Sequence, residues 1–242
     1  AGDVNGDGYD DVIVGAVHYS TNTGRAYIYF GGAQMNNVAD IIMSGVSSDR
    51  YFGASVSSDD FNGDGFSDVL IGEPGSSSSI GNAYIFFGGI AMDNVPDVTM
   101  TGETAGSYFG FLSSPAGDVN GDSYPDVIVS ATHYDGQTGR AYIYLGGSNM
   151  SSNIYLTLFG EGGNFGSWLS AGDVTGDGFS DVIVGASQYG SSDAGRVYIY
   201  YGGNPMNNSA DLTFNGTDSN ARLGMTLSSL GDLNKDGYCD II

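Results

Sequence analysis

The chain has 242 residues, with 28 acidic side chains against six Lys and Arg and a formal net charge of −22. Such a charge repels nucleic acid and anionic membranes, so we expect neither as a partner and no direct membrane insertion. The apolar share of 40% argues against disorder, and the single cysteine, Cys239, excludes an intrachain disulfide. We see no bilayer-spanning apolar stretch and no signal peptide, and the start at Ala1 in mid-pattern suggests a processed, excised or truncated chain.

In chain order, the first unit contains three segments that return later. They are AGDVNGDGYDDVIVGA at Ala1–Ala16, GRAYIYFGG at Gly24–Gly32 and VADIIMSG at Val38–Gly45. The acidic segment recurs every 55 to 59 residues, and each later copy follows an aromatic or leucine plus glycine. These pairs are Phe52-Gly53, Phe109-Gly110, Phe165-Gly166 and Leu223-Gly224. We therefore predict one repetitive region over 1–242, with units at 1–51, 52–108, 109–164 and 165–222 and a partial unit at 223–242.

Each complete unit offers four short runs rich in Val, Ile, Tyr and Phe, bounded by Gly, Asn, Ser and Asp. This pattern predicts four antiparallel strands per unit. The run after each acidic loop, such as Val12–Val14, is apolar without alternation, so we expect both of its faces to be covered. The sequence thus predicts an all-β fold, a β-propeller of four-stranded antiparallel blades with about four repeats of 55–59 residues and incomplete end blades.

The acidic loops place oxygen-bearing residues at positions 1, 3, 5 and 9, an aromatic residue at position 7 and usually glycine at position 6. Alternating oxygen ligands with a turn glycine favour a hard cation, and we predict Ca²⁺, up to five ions with one per loop. Simple Asp/Asn/Gly turns are the alternative. An EF-hand is disfavoured because position 12 is apolar and lies in a predicted strand. The predicted ligands, with the backbone carbonyl at position 7, are Asp3, Asn5, Asp7, Tyr9 and Asp11; Asp60, Asn62, Asp64, Phe66 and Asp68; Asp118, Asn120, Asp122, Tyr124 and Asp126; Asp173, Thr175, Asp177, Phe179 and Asp181; and Asp232, Asn234, Asp236, Tyr238 and Asp240.

Two of the loops depart from this pattern. The third has Ser123 in place of the turn glycine and Pro125 beside its last ligand, and the fourth has Thr175 in place of asparagine. We expect these two loops to bind the ion more weakly.

The Phe-Gly pairs, the Asp-rich loops and segments such as Gly15-Ala16-Val17 and Gly72-Glu73-Pro74 together resemble the FG-GAP repeats of integrin α-subunit propellers and their bacterial relatives. The match departs at Leu223 and at Ser130-Ala131-Thr132. The resemblance implies calcium in the hairpin between the first and second strands, on one face of the disc, and a partner on the opposite face. The family typically builds seven blades, so this chain is a piece of a longer propeller, a small ring closed by its own ends, or a partial ring completed by another chain.

Two sets of side chains occupy equivalent repeat positions. We interpret His18 and His133 as loop or packing residues rather than catalytic groups, because no convergent acid, base or nucleophile accompanies them. Arg25, Arg140 and Arg196 share one phase, and we expect them to pair with a neighbouring blade's carboxylate or carbonyl; an anionic ligand site is the alternative. The sequence therefore predicts no enzyme, no catalytic residue and no organic cofactor.

The loops Tyr19–Thr23, Pro74–Ile80, Tyr134–Thr138 and Tyr189–Ala194 carry Tyr, Ser, Asn and Gly on the predicted face away from calcium. This composition suits a protein or glycan ligand, and also ordinary solvated loops. Our leading hypothesis is a calcium-stabilised, integrin-like module for extracellular or cell-surface adhesion, protein–protein interaction or surface assembly. The alternatives are an accessory glycan- or protein-recognition domain of a secreted enzyme and a self-assembling structural protein, a homo-oligomer joined through its incomplete end blades.

Overall fold

The computed structural model describes residues 1–76 and 78–242, and it is built almost entirely of antiparallel strands. Two four-residue helical turns, α1 (Tyr19–Asn22) and α2 (Tyr134–Gln137), have left-handed backbone inside them. Within the described residues, no helix has the length and apolar character needed to cross a bilayer. The strands are β1 (Val12–Ala16), β2 (Arg25–Tyr29), β3 (Ile41–Ser44), β4 (Ser55–Asp59), β5 (Asp68–Glu73), β6 (Asn82–Phe86), β7 (Val98–Thr101), β8 (Phe109–Gly117), β9 (Asp126–Ala131), β10 (Arg140–Tyr144), β11 (Leu156–Phe159), β12 (Trp168–Gly172), β13 (Asp181–Ala186), β14 (Arg196–Tyr200) and β15 (Leu212–Asn215).

These strands form four sheets, each an antiparallel meander. The first sheet has three strands, β1-β2-β3, and the other three have four each, β4 to β7, β8 to β11 and β12 to β15. Strand β8 packs against both β4 and β12, and all three lie at the edges of their sheets, as expected for the inner strands of radially arranged blades. The predicted all-β propeller with four-stranded antiparallel blades and an incomplete first blade is therefore confirmed.

The core lies between the sheets. Alternation along β2 directs Ala26 and Ile28 toward the second sheet, where they share an apolar cluster with Val69 and Ile71 of β5. All six residues of β5, and likewise of β9 and β13, are buried, as the apolar runs predicted. The same prediction is wrong for β1, where Val12 and Val14 are exposed. The physical reason is that, among the described residues, no sheet covers the outer face of β1.

The Phe-Gly and Gly-Ala-Pro-like segments meet between consecutive units. A Cβ on Gly72 would clash with the carbonyl oxygen of Gly110, and a Cβ on Gly15 would clash with that of Gly53. Backbone must approach backbone here, so both partners need glycine. The third unit differs because the buried Ser130 takes this place and its hydroxyl accepts a hydrogen bond from the Leu112 amide at 3.2 Å.

The C-terminal segment begins a fifth unit beside the fourth sheet. Residues 223–230 form no named strand and make two isolated bridges, Leu223 with Gly195 and Ser229 with Ile241. The Ser229 amide donates to Ser170 Oγ of β12 at 3.0 Å. This end of the chain therefore lies against the fourth sheet and does not complete the first one.

Candidate metal sites in the acidic loops

The acidic loops share one backbone conformation, and the third loop illustrates it. Asp118 at position 1 accepts three backbone hydrogen bonds: Oδ1 from the Gly121 and Asp122 amides at 2.7 and 3.0 Å, and Oδ2 from the Ser123 amide at 2.7 Å. Asn120 at position 3 donates from Nδ2 to Asp122 Oδ2 at 2.9 Å, so positions 3 and 5 lie side by side. The loop is thus closed around its first carboxylate by its own amides.

In the first four loops, the position-9 aspartate ties the loop to the end of the following hairpin. Asp126 is fully buried, and its Oδ2 accepts from the Val119 amide at 2.8 Å while its Oδ1 accepts from the Gly146 amide at 2.9 Å. Asp11 and Asp181 make the same pair of contacts in their units. Asp68 accepts from the Gly88 amide in the same way, but its Oδ2 accepts from the Asn62 amide at position 3, at 3.2 Å. This explains why an aspartate recurs there: both carboxylate oxygens are needed to hold two separate backbone segments.

Among the described residues, no ion pair neutralises the buried position-9 carboxylates of Asp68, Asp126 and Asp181. The pKa of Asp126 is raised to about 7, mainly by burial; the Gly146 and Val119 amide hydrogen bonds oppose this shift, and the nearby Asp122 and Asp118 add to it. Burial likewise raises the pKa of Asp68 to about 7, with Asp64 and Asp60 as the neighbouring carboxylates. Keeping these groups ionised at neutral pH therefore costs free energy that a bound cation would offset.

The donor set of each loop fits calcium in kind, because it consists of oxygen atoms alone. Across residues 1–76 and 78–242, however, no three or more His, Cys, Asp or Glu side chains converge as a ready-made metal cluster. The carboxylates instead face the loop's own amides, as in the Asp118 and Asp126 contacts above. The loop assembles the predicted ligands around one turn, and their role in coordination stays a prediction.

One role of the aromatic residue at position 7 was missed from the sequence. Its ring lies over the position-4 glycine of the preceding loop, so a Cβ on Gly63 would clash with the Tyr124 ring and one on Gly121 with the Phe179 ring. Position 4 also has positive φ, including at Lys235 of the fifth loop (φ 66°). The recurrence of Gly at position 4 and of an aromatic residue at position 7 was the sequence signal from which this packing between loops could have been predicted. The loops are therefore packed in a row, each against the next.

Two of the three phased arginines, Arg140 and Arg196, pair with carboxylates of the preceding unit, as predicted; the prediction is wrong for Arg25, which donates to Ser44 of its own unit. Arg140 lies 2.6 Å from Glu103 Oε2 and stacks over the Tyr134 ring, with 3.6 Å from the guanidinium carbon to the ring centroid. Arg196 repeats this arrangement with Glu161 at 2.6 Å. These contacts join neighbouring blades and account for the arginines without an anionic ligand.

The second unit rebuilds this contact from different residues. Asn82 replaces the arginine, and the buried Glu73 of β5 accepts hydrogen bonds at Oε2 from Tyr84 at 2.7 Å, Asn82 at 3.0 Å and Arg50 at 3.3 Å. Arg25, in the first unit, lies over the Tyr19 ring at 3.8 Å and donates to Ser44 Oγ at 3.0 Å.

The opposite ends of the strands carry the other set of loops. Tyr134–Thr138 and Tyr189–Ala194 connect the second and third strands of their sheets, as does Pro74–Ile80, whose residue 77 lies outside the described residues. Tyr19–Thr23 makes the equivalent connection between β1 and β2 of the three-stranded sheet. Near the inner strands on this side is a cavity of about 390 Å³, lined by residues that include Ala54, Phe111, His133, Asn164, Trp168 and Met225.

Both predicted packing histidines have local partners. His133 Nδ1 lies 3.0 Å from Thr132 Oγ1, and its ring packs on Tyr108 with centroids 4.5 Å apart. Burial lowers the pKa of His133, which favours the neutral ring. His18 Nδ1 lies 2.9 Å from Asn22 Oδ1. These contacts agree with a loop and packing role.

Comparison with known proteins finds two kinds of relatives. Integrin alpha-5 of Xenopus laevis is 37% identical over 166 residues, covering 64% of this chain and 15% of that protein. Integrin alpha-V of Gallus gallus is 32% identical over 213 residues, covering 80% of this chain and 20% of that protein. Phosphatidylinositol-glycan-specific phospholipase D of Homo sapiens is 29% identical over 271 residues, covering 94% of this chain and 32% of that protein. The chain thus spans at most about a third of the length of each of these relatives.

The family model of the FG-GAP repeat matches residues 1–29, 52–86, 111–144 and 165–200, which is more than half of the chain. The four matched segments each include an acidic loop and the two strands that follow it. The chain belongs to the FG-GAP repeat family.

Proposed function

We propose that this chain is a calcium-stabilised, integrin-like propeller module that works in extracellular protein–protein interaction, adhesion or surface assembly, and that it is not an enzyme. One observation carries the calcium proposal. In the second and third units, the buried carboxylates of Asp68 and Asp126 have no positively charged partner and close a loop whose candidate ligands are all oxygen atoms. Similarity to integrin α subunits supports the interaction role.

In each loop, the carboxylates at positions 1, 5 and 9, the side-chain oxygen at position 3 and the position-7 carbonyl would hold the ion. A bound Ca²⁺ supplies positive charge to a cluster of carboxylates that otherwise repel one another. Five filled loops would change the formal charge from −22 to −12, since each ion adds two positive charges. The chain's part is to orient the oxygens and to link the loop to the following hairpin through the position-9 aspartate.

Thermal unfolding with and without calcium tests the proposal. Extracellular calcium modules bind at about 10⁻⁴–10⁻³ M. At 10 mM Ca²⁺, each such site would stabilise the folded chain by about 1.4–2.7 kcal/mol relative to chelator. Mg²⁺ at the same concentration serves as the matched control and should stabilise less, because it demands a tighter octahedral shell. A melting temperature that is equal in chelator and in calcium would contradict the calcium role.

The partner is proposed to bind the face opposite the acidic loops. The cavity there has the volume of a small-ligand or side-chain pocket and combines Phe111 and Trp168 with His133 and Asn164. Asn164 Oδ1 is buried without a hydrogen-bond partner among the described residues, so it can accept from a ligand. Because Trp168 is the chain's single tryptophan, its fluorescence reports occupancy directly. Extracellular-matrix proteins and glycans should be titrated against the wild type and Phe111→Ser, and unchanged fluorescence and binding in the variant would contradict this placement.

A second candidate function is an accessory protein- or glycan-recognition domain of a secreted enzyme. The observation that favours it is the similarity to phosphatidylinositol-glycan-specific phospholipase D, which covers 94% of this chain. A catalytic domain in the same polypeptide would favour this alternative, whereas a stalk or a surface-sorting segment would favour adhesion. Sequencing the adjoining coding region distinguishes the two.

A further inference from the structure

Three of the acidic loops place an asparagine directly before a glycine, at loop positions 3 and 4. The pairs are Asn5-Gly6, Asn62-Gly63 and Asn120-Gly121, whereas the fourth loop has Thr175-Gly176 and the fifth has Asn234-Lys235. Glycine has no side chain to shield its backbone nitrogen, so this nitrogen can closely approach the side-chain amide of the preceding asparagine. An Asn-Gly pair is therefore a chemically reactive dipeptide, and this chain repeats it at one repeat phase.

Packing between units requires the glycine of each pair. Gly63 has a φ of 74°, and a Cβ there would clash with the Tyr124 ring of the next unit. Gly121 has a φ of 81° and lies in the same way beneath the Phe179 ring. Position 3 is at the same time a predicted oxygen ligand of the loop. Two independent requirements therefore place a reactive pair in each of the first three units.

The folded loop holds the asparagine amide in place. In the third loop, Asn120 Oδ1 accepts from the Asp122 amide at 2.9 Å, and Asn120 Nδ2 donates to Asp122 Oδ2 at 2.9 Å. The Gly121 amide donates its hydrogen to Asp118 Oδ1 at 2.7 Å. The side chain of Asn120 cannot turn toward the Gly121 nitrogen while both of its polar atoms are bound to Asp122. Asp122 at position 5 therefore restrains the reactive amide.

The first two loops repeat this restraint. Asn62 Oδ1 accepts from the Asp64 amide at 2.8 Å, and Asn62 Nδ2 donates to Asp64 Oδ2 at 2.9 Å. Asn5 makes the same two contacts with Asp7, at 2.8 and 3.3 Å. The glycine of each pair is exposed to solvent, so water reaches the pair whenever the asparagine leaves its position-5 partner.

We propose that Asn5, Asn62 and Asn120 are sites of spontaneous deamidation, which the folded loop restrains and calcium suppresses further. The calcium part rests on the proposed function, whereas the restraint by the position-5 aspartate does not. In the reaction, the glycine backbone nitrogen attacks Cγ of the asparagine, so that a C–N bond forms and the Cγ–Nδ2 bond breaks. Nδ2 leaves as ammonia with the proton of the glycine amide, which gives a cyclic imide. Water then opens the imide at either carbonyl, and the product is aspartate or isoaspartate.

The isoaspartate product disables the loop. Its main chain runs through Cβ and Cγ of the modified residue and is longer by a methylene group, so the position-3 oxygen and the position-4 glycine are both displaced. The glycine then no longer fits beneath the aromatic ring of the next unit. Deamidation therefore removes candidate calcium sites from the first three units as the protein ages, whereas the fourth loop is exempt because Thr175 has no amide.

Peptide mapping by mass spectrometry measures the reaction at each pair after incubation of the whole chain at pH 8 in 10 mM calcium, in chelator and in denaturing urea. A deamidated peptide is recognised by its amide-to-acid mass change, and isoaspartate by its elution apart from aspartate. Two hydrogen bonds on the amide should slow the reaction in the folded chain in chelator by about tenfold relative to urea. Calcium should slow it by about tenfold to hundredfold more, which is the ratio of 10 mM to a Kd of about 10⁻⁴–10⁻³ M.

Two variants and an internal reference locate the cause. Asp122→Ala, measured in chelator so that calcium is not involved, should raise the rate at Asn120 by about tenfold and leave the rate at Asn62 unchanged. Asn120→Thr, which introduces the residue of the fourth loop, should abolish the reaction in the third loop. The pair Asn215-Gly216 lies outside the acidic loops, at the end of β15, so its rate should not depend on calcium while the chain stays folded.

The outcomes separate the restraint from the calcium role. If the three pairs react as fast in the folded chain as in urea, or if Asp122→Ala leaves the rate at Asn120 unchanged, the restraint is wrong. If calcium raises the melting temperature yet slows none of the three pairs, the suppression is wrong and the calcium-binding function stands. If calcium changes neither, the calcium-binding function is contradicted and the restraint by Asp122 stands. A calcium effect of equal size at Asn215 would show global unfolding and would overturn suppression within the loops.

Discussion

Replacing Asp126 with asparagine should stabilise the metal-free protein and leave the stability of the calcium-loaded protein about unchanged. Burial raises the pKa of Asp126 from 3.8 to about 7, so ionising it above pH 7 costs about 4 kcal/mol at 1.36 kcal/mol per pKa unit. Asparagine removes that cost. It offers a single acceptor oxygen, however, so either the Val119 or the Gly146 amide loses its partner, at about 1–3 kcal/mol.

The net expectation at pH 8 in chelator is therefore a gain of about 2 kcal/mol, or about 4–8 °C in melting temperature for a chain of this size. In 10 mM calcium the wild type gains the contribution of the third loop, about 1.4–2.7 kcal/mol, and the variant does not, because a carboxylate ligand is gone, so the net difference between the two proteins should lie within about 0.7 kcal/mol of zero. Differential scanning calorimetry of both proteins in both buffers measures the four values. Asp218→Asn, at an exposed aspartate outside the loops, is the matched control and should leave all of them unchanged.

The change in stability caused by Asp126→Asn, compared between chelator and calcium, distinguishes an ion ligand from a structural hydrogen-bond acceptor. If Asp126→Asn destabilises the chain equally with and without calcium, the aspartate is a structural hydrogen-bond acceptor and not an ion ligand. If it destabilises the metal-free protein at pH 8, the assumed cost of the buried charge is wrong.

Three further predictions address pH, backbone strain and packing. In chelator, the melting temperature should fall as pH rises from 5 to 8. Burial raises the pKa of Asp68 and Asp126 to about 7 in the folded state, so the folded chain binds more protons than the unfolded chain, and this stabilisation is lost as the two carboxyl groups ionise. A melting temperature that rises over this range would contradict the prediction. Ser123→Gly should raise the free energy of unfolding by about 0.5–1 kcal/mol in urea titration, since Ser123 has a φ of 73°, whereas Gly8→Ser should lower it at the equivalent position. Phe165→Ala should cost about 3–5 kcal/mol in the same assay, because its fully buried ring packs on Tyr198 at 5.1 Å; a loss below 1 kcal/mol would contradict its place in the core.

Much of the local structure could be predicted from the sequence because it depends on residues close together in the chain. The strand pattern of GRAYIYFGG, the turn at each acidic loop and the repeat spacing follow from side chains within about ten positions of one another. The pairing of Arg140 with the preceding unit was predictable as well, because residues in one repeat phase occupy equivalent places.

Contacts between blades could not be predicted in the same way. The Phe66 ring packs over Gly6 of the preceding unit. In the second unit, the pair of Arg50 and Glu73 takes the place of the pair that Arg140 makes with Glu103. Both contacts join residues from different units. Their identification requires knowing which side chains the stacking of sheets brings together. The alternation pattern indicates which side chains of a strand share one face, but not which residues of the neighbouring sheet pack against them.

The chain itself determined that it folds as a series of small antiparallel sheets with an acidic turn in each, because turn chemistry and strand periodicity are local. Only the tertiary structure decided which of those sheets are covered. Val14 and Val129 stand in nearly identical segments, yet one is 45% exposed and the other fully buried. Burial is a property of the neighbouring blade, and the same residues acquire or lose it according to what lies beside them.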